Sequence, residues 1–267
     1  MDAVVWQCGP LTLRAYNAWL LGGALAALLV IGWRASRHPA GHVRAWLDVS
    51  LGAALAGLVG ARGLYVLLQW EQFRADPDRI ARLSLGGTAW HGGVAGGMLA
   101  AWLIARWRRV PFRAWTDAAA LAWPLLLATA WAGCRAAGCA YGHEVATLAD
   151  WPSWLVEELP DAYGFVVPRL DVQAGGVALA LVLGLLAAIL TWRGWLSGVR
   201  LWLLLALTGL GQALLSFLRA DAPDMLYGQR ADRLFDLVLL GISTLIGCGL
   251  WLAGRRRESM LSREVIR

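Results

Sequence analysis

Residues 173–192 read QAGGVALALVLGLLAAILTW and contain no charged side chain. A helix needs about 20 predominantly apolar residues to cross the hydrocarbon core of a bilayer, so this stretch predicts a transmembrane helix. The whole chain of 267 residues is 59% apolar and 16% charged. Soluble domains are roughly 45–50% apolar and about 25% charged, and the balance here therefore indicates a membrane protein.

Further stretches of similar length and polarity lie on both sides of this one. The complete set of predicted spans is 12–33, 46–69, 88–105, 114–133, 173–192, 199–218 and 234–253. We therefore expect an all-α polytopic membrane protein with about seven transmembrane helices, forming a single transmembrane domain over residues 1–267. The 17 tryptophans are typical of aromatic belts at the two membrane interfaces.

The distribution of charge predicts the orientation of the chain. Arginines are concentrated in loops 34–45, 106–113 and 193–200 and in the tail after residue 254, whereas the alternate loops carry the acidic residues. Because positively charged loops stay in the cytoplasm, we expect the N-terminus outside and the C-terminus inside. The net charge of +6 follows from this topology, and it gives no reason to expect a nucleic-acid partner.

One connection is much longer than the others. Residues 134–172 lie between the fourth and fifth predicted spans and contain three prolines and two tryptophans. Long connections are uncommon and are often functional. We expect this segment to form a small extracytoplasmic head that folds onto the outer leaflet.

Four ionisable residues fall toward the outer leaflet of the predicted spans, namely Arg62, His91, Arg135 and Arg219. Ionisable groups inside a bilayer are costly and usually face a paired or wet interior, so each is a candidate functional residue. Arg135 and Arg219 lie at span ends, where an arginine commonly extends its charge to the interface. Arg62 lies deeper and needs acceptors, and a phosphate matches the donor fork of a guanidinium.

The segment AWHGGVAGGMLAAW, residues 89–102, combines a histidine with closely spaced glycines. The glycines form two interlaced pairs, Gly92/Gly96 and Gly93/Gly97. This small-xxx-small spacing allows helices to pack closely. Packing accounts for the glycines but leaves the imidazole of His91 unexplained.

The cysteines leave two alternatives open. Cys8, Cys134 and Cys139 are predicted on the oxidising outer side, where disulfides form, and a reactive thiol at Cys134 or Cys139 is the other interpretation. The chain has no C-x-x-C pair, and its histidines do not accompany the cysteines as in zinc sites. We expect no metal and no cofactor.

Three motifs resemble the prolipoprotein diacylglyceryl transferase family. GARGLYVL at residues 60–67, GGTAWHGG at residues 86–93 and FLRAD at residues 217–221 are similar to that family's motifs in order and approximate spacing. The seven spans and the outside N-terminus also match. The resemblance covers nearly the whole chain.

The resemblance implies a transfer reaction in the bacterial cytoplasmic membrane. The family moves the diacylglyceryl group of phosphatidylglycerol to the lipobox cysteine of a preprolipoprotein, and glycerol phosphate leaves. His91 would be the base or an orienting group, with Arg62 and Arg219 as phosphate ligands. The other implied substrate-binding residues are Tyr16, Tyr65, Gly92, Gly93, Arg135 and Tyr141.

Several signature positions depart from the family pattern. The signature's arginine, asparagine and glutamate correspond to Trp131, Cys134 and Cys139, and an arginine and a glutamate of the sixth span correspond to Gln212 and Ser216. The loss of two cationic groups would weaken the standard mechanism. Two alternatives therefore stand beside the transferase: a divergent enzyme acting on another lipid or thiol substrate, and a non-catalytic membrane scaffold or lipid-binding subunit.

Overall fold

A computed structural model describes residues 4–8, 11–39, 41–82, 86–161 and 163–265. The α-helices within these residues are α1 Ala15–Ser36, α2 Val43–Leu68, α3 Trp70–Ala75, α4 Trp90–Trp107, α5 Phe112–Ala137, α6 Val172–Trp192, α7 Arg200–Leu215 and α8 Ala231–Val265. The strands are β1 Val4–Cys8, β2 Leu11–Arg14, β3 Val156–Pro160, β4 Val166–Leu170, β5 Met225–Leu226 and β6 Gln229–Arg230.

Five of these helices are long and apolar enough to cross a membrane: α1, α2, α5, α6 and the first 26 residues of α8. They confirm the prediction of an all-α polytopic membrane protein. The third and sixth predicted spans coincide with α4, which has 18 residues, and α7, which has 16. At 1.5 Å per residue α7 is about 24 Å long, shorter than a hydrocarbon core of about 30 Å. The count of seven spans and the orientation of the chain stay predictions.

The first predicted span starts too early. The predicted boundary is at about residue 12, whereas α1 begins at Ala15. Residues 11–14 instead form β2, which pairs antiparallel with β1. An apolar run alone does not distinguish a strand of this length from the first turn of a helix.

The chain forms two compact units. The central unit is Leu28–Ala118. The second unit consists of Met1–Ala27 and Ala119–Arg267. We call it the outer-sequence unit, because its two parts precede and follow the central unit in the chain. The single transmembrane domain expected over residues 1–267 stays a prediction.

In the central unit, α2 and α4 pack through glycines. A Cβ placed on Gly60 would lie 2.3 Å from the carbonyl oxygen of Gly92, and one on Gly93 would lie 3.3 Å from that of Gly57. A Cβ on Gly60 would collide with the facing backbone, and one on Gly93 would make an unusually tight contact, so small residues allow this close approach. The packing interpretation of Gly92 and Gly93 is therefore confirmed.

In the outer-sequence unit, the connection between α5 and α6 forms a small sheet-like layer. Strands β3 and β4 pair antiparallel, and residues 142–145 run beside β4, where the amide of Leu170 donates to the carbonyl of His143 at 3.0 Å. On its other side this segment contacts the chain after α7, because the amide of Ala220 donates to the carbonyl of Tyr141 at 2.9 Å. The end of α7 is thus attached to the segment that follows α5. The placement of residues 134–172 as a head outside the membrane stays a prediction.

Candidate functional site

Arg62 lies in α2 with only 6% of its surface exposed, and its guanidinium is enclosed by backbone carbonyls. Its Nε donates to Ile80 O at 3.0 Å. Its Nη1 donates to Gly86 O at 2.6 Å and to Gly87 O at 2.8 Å. Its Nη2 donates to Arg79 O at 2.6 Å and to Arg82 O at 3.4 Å. An arginine has five N–H groups, so every donor is used within the protein. A phosphate could bind Arg62 only if this loop released it.

Aromatic rings complete the surroundings of Arg62. The guanidinium carbon lies 5.1 Å from the ring centroid of Phe73 and 5.8 Å from that of Tyr65. These two rings meet edge to face at 6.0 Å. The ring of Tyr65 also covers Gly87, where a Cβ would lie 2.2 Å from it. Tyr65, predicted to bind the lipid head group, therefore packs against the loop.

His91 is the second residue of α4. It is half-buried, and its ring lies 4.0 Å from that of Trp90. The start of α4 is attached to α2, because the amide of Ala89 donates to Ala61 O at 2.9 Å. The structure thus brings Arg62 and His91 into one unit, joined through the loop that Arg62 holds.

Arg219 follows α7 in the outer-sequence unit and is paired with two carboxylates. Its Nε and Nη2 donate to Asp221 at 2.9 and 2.5 Å, and its Nη1 lies 3.0 Å from Asp232 Oδ2. Arg230 contacts the same two carboxylates at 3.1–3.2 Å. These contacts use three N–H groups of Arg219, and among the described residues the other two have no acceptor. The two arginines and the two aspartates therefore form a charge-balanced cluster.

A polar groove of about 400 Å³ lies beside Ala220, the neighbour of Arg219 in sequence. It is lined by Tyr141, His143, Glu144, Asp161, Arg169 and Ala220. Arg169 is 2% exposed and lies 2.9 Å from Glu144 and 3.5 Å from Asp161. Arg169 was not among the predicted site residues, although a charged residue in an otherwise apolar segment, here strand β4, is a signal for such a residue.

The pKa values of two groups in the groove are shifted. Burial raises the pKa of Tyr141 above its ordinary value, and the nearby carboxylates of Asp161 and Asp221 raise it further, so the phenol stays neutral and can donate. Burial also raises the pKa of Asp161, but the amides of Phe165 and Tyr163 and the charge of Arg169 outweigh it and lower the pKa overall. Asp161 is therefore a carboxylate that caps the turn between β3 and β4.

The two cysteines at signature positions form a disulfide, Cys134–Cys139. Of the two alternatives left open by the sequence, the structure adopts the disulfide, and neither sulfur is a free thiol in it. The neighbouring Arg135 donates to Asp171 and Glu157, each at 2.5 Å. Arg135 therefore links the end of α5 to β3 and to the start of α6.

Two further signature positions, Trp131 and Ser216, have structural contacts. Trp131 is buried and lies flat on α6, where a Cβ on Gly176 would be 2.1 Å from its ring. Ser216 accepts from Nε of Arg233 at 2.8 Å. Tyr16 of α1 packs against Gly133, because a Cβ there would lie 3.0 Å from its ring. Tyr16 thus lies beside the residue that precedes Cys134, and its predicted role in substrate binding stays a prediction.

Within the described part of the chain, no group of three or more His, Cys, Asp or Glu residues could hold a metal ion. The charged groups that the structure offers to a ligand are guanidinium and carboxylate groups. A guanidinium group can bind and orient an anion, and a carboxylate can accept a proton.

Comparison with known proteins identifies the family. A family model described as prolipoprotein diacylglyceryl transferase matches residues 3–254. The chain is 35% identical over 162 residues to a phosphatidylglycerol–prolipoprotein diacylglyceryl transferase from Symbiobacterium thermophilum, covering 60% of this chain and 58% of that protein. It is 37% identical over 111 residues to the protein of the same name from Chloroflexus aggregans, covering 40% and 35%.

A protein of that name from Mycobacteroides abscessus is 36% identical over 120 residues, covering 43% of this chain and 35% of the relative. The chain thus spans less than two thirds of the length of these curated relatives. The family match nevertheless extends over nearly all of its residues. The chain belongs to the prolipoprotein diacylglyceryl transferase family.

Proposed function

We propose that this protein transfers the diacylglyceryl group of phosphatidylglycerol, or a related phospholipid, to the lipobox cysteine of a preprolipoprotein. The cysteine sulfur forms a C–S bond to the glyceryl carbon, the C–O bond to the phosphate breaks, and glycerol phosphate leaves. The thiol proton passes to a base. The observation that carries the proposal is the family match over residues 3–254, with the His-Gly-Gly motif opening α4.

The residues with the most direct roles are His91 and Arg219. His91 is the candidate base or orienting group for the thiol. Arg219 is held by Asp221 and Asp232 and keeps two N–H groups without an acceptor among the described residues. A fork of guanidinium donors is suited to the phosphate oxygens of the leaving group. Tyr16, Arg135 and Tyr141 are supporting candidates for binding the substrates.

The reaction belongs to the bacterial cytoplasmic membrane in this proposal. Both substrates have lipid-like parts, and the long apolar helices support a multi-pass protein that meets them in the bilayer. The predicted orientation puts His91 and Arg219 toward the outer leaflet, where a translocated preprolipoprotein presents its cysteine.

A second candidate function rests on the altered signature. The disulfide Cys134–Cys139 and the buried Trp131 replace polar groups of the family pattern. These replacements favour a divergent member that acts on another lipid or thiol substrate. A non-catalytic scaffold or lipid-binding subunit is the third outcome that an assay can reveal.

The test is an assay of the purified protein in phosphatidylglycerol nanodiscs with a lipobox peptide. We expect a diacylglyceryl mass gain on the peptide cysteine and release of glycerol phosphate. His91→Ala and Arg219→Gln should each lower kcat/KM by about 100-fold or more, the range for general bases and for charge-stabilising donors. Arg74→Gln is the control, because Arg74 is exposed and, among the described residues, pairs only with Glu71.

An unmodified peptide in the presence of folded wild-type protein would contradict the proposal. Modification of a different thiol or lipid would then support the second candidate. Binding of phosphatidylglycerol without any turnover would indicate the non-catalytic scaffold.

A further inference from the structure

We infer that Arg62 is a positioning residue, which fixes the loop before α4 and thereby the place of His91, and does not bind the phosphate. The functional part of this inference rests on the proposed role of His91. The structural part stands on the contacts of Arg62 alone.

The five acceptors of Arg62 all lie in the connection between α3 and α4. They are the carbonyls of residues 79 and 80, at the end of the 3-10 helix Pro77–Ile80, and of residues 82, 86 and 87. Among the described residues the structure gives Arg62 no carboxylate partner. A buried cation is costly unless its donors are satisfied, and here the loop satisfies them all.

Three successive residues of α2 hold the segment that contains His91. Gly60 contacts Gly92 backbone to backbone, Ala61 accepts from the amide of Ala89, and Arg62 donates to the carbonyls of residues 86 and 87. His91 lies between the anchored positions 89 and 92. Loss of the Arg62 contacts therefore releases the entry to α4, while the packing of Gly60 on Gly92 remains.

Lysine cannot replace arginine in this arrangement. An ammonium group has three donors and no planar fork, so Arg62→Lys keeps the positive charge but leaves carbonyls without a partner. If Arg62 bound the phosphate of the substrate, the same variant would behave differently, because a lysine at position 62 would still attract the anion. The two roles thus predict different properties for the same variant.

The first measurement is hydrogen exchange of the Ala89 amide in detergent that contains no phosphatidylglycerol. We expect exchange at least about 10-fold faster in Arg62→Lys than in the wild type, because the bond from Ala89 to Ala61 opens with the loop. The matched control Arg74→Gln, in the same unit, should exchange at the wild-type rate. Unchanged exchange in Arg62→Lys overturns the inference.

A second variant allows the same measurement if Arg62→Lys does not fold. Gly87→Ala leaves Arg62 in place but puts a Cβ 2.2 Å from the ring of Tyr65 at a φ of +83°, which displaces the loop. Its Ala89 amide should also exchange at least about 10-fold faster. An unchanged rate in a folded Gly87→Ala protein likewise overturns the inference.

Kinetics separate the two roles where activity is present. A positioning residue predicts that Arg62→Lys lowers kcat at least about 10-fold and leaves KM for phosphatidylglycerol within about twofold. An increase in KM with unchanged kcat and unchanged exchange would make Arg62 a phosphate ligand. Because the exchange measurement needs no turnover, an inactive wild type would contradict the proposed function without affecting this structural test.

Discussion

Three arginines that the sequence places near the outer leaflet donate to three different kinds of acceptor. Arg62 donates to loop carbonyls, Arg135 to the carboxylates of two elements, and Arg219 to carboxylates close to it in the chain. The positions were visible in the sequence because an arginine in an apolar run is conspicuous. The acceptors of these arginines were not visible in the sequence, because an arginine side chain can reach groups on several elements. The residues beside it in the chain do not reveal which of those groups it contacts.

Removal of the disulfide should lower stability. In the double variant Cys134→Ser/Cys139→Ser we expect the free energy of unfolding to fall by about 2 kcal/mol, the chain-entropy contribution of a cross-link that closes a short loop. Chemical unfolding followed by circular dichroism measures the change. Cys248→Ser is the control, because Cys248 is free and exposed. Equal stability of the double variant and the wild type would show that other contacts alone hold the end of α5.

The helices α2 and α4 pack by their backbones over several turns. The glycines at 57 and 60 of α2 face those at 92, 93, 96 and 97 of α4. Sequence spacing predicted this kind of contact, because small residues four apart form a continuous groove on one face. The partner helix was not predictable, since any neighbouring helix with a small-residue face would fit the same groove.

Alanine substitutions at two glycines of α2 should have different effects on the free energy of unfolding. Gly60→Ala puts a Cβ 2.3 Å from the backbone of Gly92, so the helices must separate, and we expect a loss of about 1–3 kcal/mol in the free energy of unfolding. Gly63→Ala meets nothing within 4 Å and should leave stability unchanged or raise it by up to about 1 kcal/mol. Unfolding in lipid-matched detergent compares the two. Similar losses for both variants would contradict the backbone contact.

The charge pattern and the helices together describe a protein built for a bilayer. Helices α1, α2, α5, α6 and α8 are long and apolar enough to cross it. The arginine-rich loops alternate along the chain with acidic ones. This alternation predicts which ends of the helices face the cytoplasm. The lengths of the helices alone do not determine the orientation of the chain in the membrane.

Reporter fusions test the predicted orientation. A fluorescent protein attached after residue 267 should fluoresce, and alkaline phosphatase at the same place should be inactive, because the phosphatase folds only outside the cytoplasm. Alkaline phosphatase inserted after Asp150, in the predicted extracytoplasmic head, should be active. The opposite pattern at both sites would reverse the orientation derived from the arginines.

The membrane class, most of the helices and the family motifs could be read from the amino-acid sequence, because apolar runs, small-residue spacing and motif order are local properties. The strands of the α5–α6 connection were missed, since short strands with mixed polarity have no periodic signal. Only the tertiary structure decided that Cys134 pairs with Cys139, that Trp131 packs on Gly176, and that Arg62 holds the loop before His91. The acceptors of Arg62 lie 17–25 residues away in sequence, and such contacts depend on how the chain folds back on itself.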